Sequence, residues 1–322
     1  MTMKILVLRF SSIGDIVLTT PVVRALKQQA GAEVHFVVKK QFRQVVENNP
    51  FIDKIFDFEK DIPELIPLLK KEGYDHILDL HKNLRTARLK SALGVNSHSF
   101  NKLNIEKWLL VNLKINALPG VHIVDRYFAA AAFAGVKYDG RGLDYFITGQ
   151  DREAVEQLLP EEYNVFVTGG AHFTKQIPSG HLITIGNNSR LPVVLLGGSD
   201  DVGKAAAIAD ALGDKAVNLT GKLSLNRSAA VIEKAAAVFT ADTGLMHIAA
   251  AFRRRVVSFW GNTVPQFGMY PFFPDGMENL SEIMEVKNLR CRPCSKIGYD
   301  KCPKKHFRCM MDIEVNNLAM EQ

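Results

Sequence analysis

The sequence predicts an α/β chain made of two doubly wound domains in tandem. Three observations carry this. Short apolar runs alternate with helical periodicities along most of the chain, the mark of βαβ units and a parallel sheet covered on both faces. The length of 322 residues suits two domains at ~150 residues each. The composition, 47% hydrophobic and 23% charged, is that of a globular protein. It excludes a disordered chain, a collagen and a disulfide-dense miniprotein.

In the first series, Lys4–Leu8 reads as a strand and Ile13–Gln28 as a helix. Glu33–Val38 is a strand, Gln41–Glu47 a helix, Lys54–Phe58 a strand, Ile62–Glu72 a helix and His76–Leu80 a strand. The stretch Gly94–Pro119 carries no clear period, and a helix follows over Ile123–Ala134. Gly135–Pro160, rich in Gly, Asp and Tyr, reads as the connection between domains, placed at 1–150 and 151–322. The second series has strands at Asn164–Thr168, Pro192–Leu196, Ala237–Thr240 and Val256–Phe259. Helices are expected at Ser179–Asn187, Asp200–Leu212, Ser224–Ala236 and Gly244–Ala251. The first apolar run, Ile5–Leu8, is too short for a secretory h-region, and no stretch of ~18 uncharged apolar residues occurs. A cytoplasmic protein is expected.

The net charge is +6, and the pI near 9.0 points to an anionic partner. Lys287, Arg290, Arg292, Lys296, Lys301, Lys304, Lys305 and Arg308 face one acid, Asp300, within a single segment. A second basic run, with Lys82, Arg85, Arg88 and Lys90, lies in the first half. Either run taken alone would be an ordinary solvated surface.

Ligands of such sheets bind at the carboxyl ends of strands, at the point where strand order reverses. Loops in that position therefore hold the candidate chemistry. The first is Arg9-Phe10-Ser11-Ser12-Ile13-Gly14-Asp15. Serines can cap the next helix, but capping alone does not require Ser-Ser-x-Gly-Asp. Asp15, a carboxylate at a strand's end, is a candidate general base. The second is Gly169-Gly170-Ala171-His172-Phe173-Thr174-Lys175. Its glycines permit close backbone approach, and Lys175 offers a point charge for a phosphate.

The third is Thr240-Ala241-Asp242-Thr243-Gly244-Leu245-Met246-His247. Free N–H groups at a helix start can hold a diphosphate. Asp242 is placed to accept sugar hydroxyls, and His247 lies one turn in, toward ligand or core. A fourth loop, Trp260-Gly261-Asn262-Thr263-Val264-Pro265, would line the same edge, and Gly197-Gly198-Ser199 reads as a capped turn. There is no GxGxxG fingerprint and no P-loop, which weakens dehydrogenase and kinase readings. No D-x-D occurs, so a metal held by that motif is not expected.

In order along the chain, LRFSSIGDIVLTTPVVRALK, GGAHFTKQIP, TADTGLMHIAAA and WGNTVPQFG resemble the motifs of glycosyltransferase family 9, the lipopolysaccharide heptosyltransferases. The cysteine-bearing tail CRPCSKIGYDKCPKKHFRCMMDI is similar to a segment of many members. The resemblance implies a GT-B fold, two doubly wound Rossmann-like domains facing across a cleft. It implies transfer of L-glycero-D-manno-heptose from ADP-heptose to the lipopolysaccharide inner core, with inversion. Asp15 matches the general base and Lys175 the lysine on the donor phosphate. Asp242, Thr243, Gly244 and His247 match the donor loop, and Arg9 a position that is often basic. One departure is that Gln176 and Ile177 stand where members carry an aromatic before the proline.

The acceptor, a phosphorylated lipid A core, is expected on the first domain. The candidate contacts are Arg9, Ser11, Lys82, Arg85, His122 and Arg126. Charge, not a spanning helix, would bring the protein to the anionic inner face of the inner membrane. Transfer is expected to need no metal or other cofactor, because Lys175 and the helix start at Thr243–Gly244 can supply the positive field. Cys291, Cys294, Cys302 and Cys309 could form a structural zinc site or be reduced packing thiols, the default in a reducing compartment. Two alternatives stand beside this reading. One is a transferase of the same fold using another nucleotide sugar. The other is a non-catalytic nucleic-acid or lipid-binding protein, against which no helix-turn-helix, RNP or bZIP pattern is present.

Overall fold

The protein is described here by a computed structural model that covers residues 2–316 and Leu318. The chain packs as two compact units. One is Met1–Leu103 with Val121–Phe146, the other Asn104–Gly120 with Ile147–Gln322. The segment 104–120 thus packs with the second unit, although it lies in the first half of the sequence.

The first unit holds β1 (Lys4–Leu8), β2 (Glu33–Lys39), β3 (Lys54–Phe58), β4 (His76–Asp79) and β5 (Asn96–Ser99). They pair in parallel in the order β3-β2-β1-β4-β5. The second holds β6 (Asn164–Val167), β7 (Val193–Leu196), β8 (Ala216–Asn218), β9 (Ala237–Ala241), β10 (Arg255–Trp260) and β11 (Ser281–Glu285). Their order is β11-β10-β9-β6-β7-β8, again parallel. Both sheets are doubly wound. Strand order reverses between β1 and β4 in one and between β6 and β9 in the other, and these are the positions where such sheets bind ligands.

Central strands such as β1 and β7 are buried almost end to end, as parallel strands between helices must be. Leu6, Leu8, Phe10, Val37 and Ile77 centre the first core. Phe166, Leu195, Phe239 and Phe259 centre the second, joined by Met310, Ile313 and Val315 from the C-terminal segment.

Several expected elements are modified. The helix expected at Ile13–Gln28 is two helices, Ile13–Val17 and Thr20–Gln28. Pro21 sits in the first turn of the second, where its missing N–H costs nothing, but it cannot continue a helix from before. Gln41–Glu47 is a 3-10 turn at Lys40–Val45. The expected connection Gly135–Pro160 contains a helix, Gly149–Glu156, with a capping box from Thr148 and Asp151. Gly94–Pro119 contains β5 and the helix Asn104–Leu113.

Arg24 fixes the last stretch of the first unit. It is fully buried on the helix Thr20–Gln28. Its Nε and Nη2 donate to both oxygens of Asp139 at 2.8 and 2.7 Å. Nη1 donates to Asp144, and Nη2 to the Gly142 carbonyl at 3.0 Å. Removing a partner from such a network leaves uncompensated buried charge. Arg24→Met is therefore expected to destabilise the protein by about 3–5 kcal/mol, read as a lower denaturant midpoint at unchanged slope.

Candidate active site

The reversal point of the first sheet gathers charged side chains from three stretches of chain. Arg9 leaves the end of β1 and is buried. Its Nη2 lies 2.5 Å from Asp15 Oδ1, and its Nε donates to the Ser11 carbonyl at 2.9 Å. Its Nη1 donates to the Leu80 carbonyl beyond β4 and, at 3.2 Å, to Tyr127 Oη. Asp15 also accepts from Ser12 Oγ at 2.7 Å and Ser12 N at 3.2 Å. The carboxylate is thus oriented by a helix start on one side and a buried guanidinium on the other.

Around this pair stand residues that the sequence left unassigned. Asp79, fully buried at the end of β4, accepts from the backbone of His81 and Lys82 and pairs with Lys90 at 2.9 Å. His81 packs its ring on Phe10 at 4.8 Å. Burial, with the charges of Arg9 and Lys102, pushes its pKa down to about 4, so the imidazole is neutral at pH 7. Lys102, half-buried, is lowered by burial and then by Arg9.

The expected acceptor residues divide. Ser11 carries the carbonyl that holds Arg9. Lys82 and Arg85 are exposed beside the end of β4. His122 is buried and caps the helix Ile123–Ala130, its Nδ1 accepting from Val124 N at 3.2 Å. Arg126 is buried on that helix and donates to the Asn101 carbonyl at 3.4 Å. Both belong to the helical segment from which Tyr127 reaches Arg9.

The reversal point of the second sheet is built the same way. Lys175, after β6, and Asp242, after β9, form an ion pair of 2.6 Å. Thr263 Oγ1 donates to the same Asp242 oxygen at 3.1 Å. Thr243 precedes the helix Gly244–Ala251 without a side-chain cap, because its hydroxyl meets Thr240 Oγ1 at 3.0 Å. The first-turn N–H groups at Gly244 thus receive no hydroxyl from Thr243. His247 is buried in the second turn. Gly169 meets the demand for a bare backbone, since a Cβ there would lie 1.9 Å from Asp201 Oδ2. Gln176 donates to the Gly170 carbonyl at 3.0 Å, and Ile177 is buried. The two residues that depart from the family pattern thus pack the loop itself.

The basic C-terminal segment is not one solvated surface. Arg292 is 7% exposed and pairs with Glu285 at 2.7 Å. It also donates to the carbonyls of Gly261, Val286 and Thr263 at 2.7, 3.1 and 3.1 Å. It thereby holds the loop that carries Thr263 against Asp242. Tyr299 N donates to Thr174 Oγ1 at 2.8 Å and Thr174 N to the Tyr299 carbonyl at 3.1 Å, one residue before Lys175. Gly298 adopts φ +142°, and a Cβ there would come within 2.6 Å of His172. Nothing in the spacing of the basic residues marked Arg292 as different from its neighbours.

Cys294 and Cys309 are raised by burial and then by the other thiols, Cys309 to about 12. Cys291 Sγ lies 3.9 Å from His306 Nε2. A zinc tetrathiolate would put its sulfurs roughly 3.8 Å apart. Among the described residues, the group of three potential ligands within 4.8 Å of one another is Glu33, His35 and Glu72, not the cysteines. The four thiols nevertheless lie near enough to act on one another's charge. Glu33 is paired with Lys4, and Glu72 with Lys4 and Lys54. Less than about 0.2 zinc per chain in protein purified without chelator would mark the cysteines as reduced packing thiols. Full occupancy would show that the sulfurs close around an ion.

Two doubly wound units, each with a paired cation and carboxylate at its reversal point, define a class: a doubly wound α/β protein with charged groups where such sheets bind ligands. Comparison with known proteins sharpens it. Residues 63–301 match the model of glycosyltransferase family 9 (heptosyltransferase). The lipopolysaccharide heptosyltransferase 1 of Pseudomonas aeruginosa is 25% identical, over 97% of this chain and 92% of its own. A family 9 glycosyltransferase from Veillonella parvula superposes with a TM-score of 0.73 at 21% identity, covering 87% of this chain and 86% of that one. The E. coli heptosyltransferase WaaC with ADP gives 0.66 at 22% identity, covering 87% and 92%. The chain belongs to glycosyltransferase family 9. It is a glycosyltransferase of the GT-B fold, and the reading as a non-catalytic binding protein falls away.

Proposed function

We propose that this chain transfers L-glycero-D-manno-heptose from ADP-heptose to the inner core of lipopolysaccharide, with inversion and without a metal. The observation that carries the reading is the Lys175–Asp242 pair beside the uncapped helix start at Gly244. It joins a family whose relatives are heptosyltransferases. The second unit would take the donor. The diphosphate would sit at the helix start, where N–H groups and the helix dipole favour negative charge. Lys175 would meet the charge that develops as the sugar–phosphate bond breaks. Asp242 holds that ammonium in place and offers its carboxylate to sugar hydroxyls.

The first unit would take the acceptor. Asp15 would accept the proton of the attacking hydroxyl while its oxygen bonds to the anomeric carbon from the face opposite the leaving ADP. Arg9 positions Asp15, and exposed Lys82 and Arg85 suit phosphates of the lipid A core. No helix among the described residues is long and apolar enough to cross a membrane. Contact with an anionic bilayer would then be peripheral.

Asp15→Asn keeps the shape and removes the base. Turnover is expected to fall by about 10²–10⁴, with nucleotide affinity unchanged, in an assay of ADP release with lipid A-core acceptor. Turnover at the wild-type rate in Asp15→Ala would sink the assignment.

A further inference from the structure

The helix Asn104–Leu113 and the residues after it carry an apolar surface that the fold does not cover. From Asn104 to Gly120 no residue is buried. Ile105 is 74% exposed, Trp108 50%, Leu113 54% and Ile115 53%. A soluble helix normally turns such a stripe inward, and an exposed apolar patch rimmed by charge marks a docking site. Ile105, Trp108 and Leu109 lie three and four residues apart and so share a face.

The rim is basic. Lys114 Nζ donates to the carbonyls of Pro293 and Cys291 at 2.6 and 3.4 Å, which fastens the end of the helix to the cysteine segment. Lys296 lines one shallow hollow with Asn104, Ile105 and Trp108. Beside it Ile297 is 66% exposed and Tyr299 43%. The same segment goes on through Lys301, Lys304 and Lys305, all exposed. Apolar residues with an aromatic at their centre and lysines at the edge are the chemistry of a helix lying in a lipid headgroup layer. The excess of lysine at this edge complements the anionic headgroups of a bilayer.

We propose that the helix Asn104–Leu113, with Lys296 and Ile297, is the surface by which this protein docks on an anionic bilayer. Ile105 and Trp108 enter the headgroup boundary, and Lys296 and its neighbours meet lipid phosphates. The inference rests on the proposed membrane contact and gives it a location; it does not depend on which nucleotide sugar is used.

The chain contains a built-in reporter. Of its two tryptophans, Trp260 is 1% exposed and Trp108 is not covered. The experiment mixes the full chain with vesicles of phosphatidylglycerol and phosphatidylethanolamine, with phosphatidylcholine vesicles as neutral control. Sedimentation and tryptophan emission are both followed. Binding to the anionic vesicles with a blue shift is expected, and salt should weaken it. Lys296→Ala should weaken partitioning about fivefold, the equivalent of ~1 kcal/mol per lysine. Ile105→Asp should weaken it at least about tenfold. Both variants should keep the wild-type thermal shift with ADP, which separates lost docking from lost folding or a wrong donor. Three results would overturn the proposal. They are no binding to anionic vesicles, binding without a change in emission or sensitivity to Ile105→Asp, and a wild-type dimer that Ile105→Asp splits.

Discussion

Parallel pairing imposes one constraint on which both halves of this protein depend. A chain that winds outward from a central strand, then returns to wind the other way, must leave a notch where the two directions part. β1 and β4 flank that notch in the first unit, β6 and β9 in the second. Loops leaving the carboxyl ends of these strands have no crossover helix above them at that point. Groups distant in sequence meet there: Arg9 with the Leu80 carbonyl and Tyr127, Lys175 with Asp242.

The two notches use opposite charge logic. In the first, a buried arginine bound to carbonyls and a tyrosine holds a carboxylate by its side. In the proposed reaction the acid is the working group and the cation its support. In the second, a carboxylate held by Thr263 pairs with an ammonium, which in the proposed reaction meets the leaving diphosphate. A base is needed where a hydroxyl attacks, and a positive charge where a diphosphate leaves. Arg292 extends the second arrangement outward. Its three carbonyl contacts and its pair with Glu285 tie the cysteine segment to the loop that bears Thr263.

Much of this is legible in the sequence, for a physical reason. Buried parallel strands must be apolar nearly throughout, so β1, β7 and β9 stand out as short runs between helical patterns. The loops after them draw attention through Gly, Ser and Asp at helix starts. Edge strands are harder to see. β5 reads Asn-Ser-His-Ser and β11 Ser-Glu-Ile-Met-Glu, since a strand with one neighbour and a wet face needs no apolar run. The helix Asn104–Leu113 escapes because the continuous apolar run Trp108–Val111 masks the stripe that starts at Ile105. Arg292, Asp79 and Lys102 escape because their roles come from what folding puts beside them. A basic run shows a charge but not which of its members points inward.

The central claim is that an adenine nucleotide diphosphate is held by Lys175 and a helix start without metal. The most direct measurement is thermal stability of the purified chain and of Lys175→Ala against ADP, UDP, GDP and CMP, each with and without EDTA. ADP at 100-fold its Kd should add ~2.7 kcal/mol to the wild type, whether or not EDTA is present. The other nucleotides should add less, and the variant should require markedly more ADP for the same gain. Stabilisation by UDP or GDP in place of ADP, loss of the ADP effect in EDTA, or an unchanged response in Lys175→Ala would contradict it.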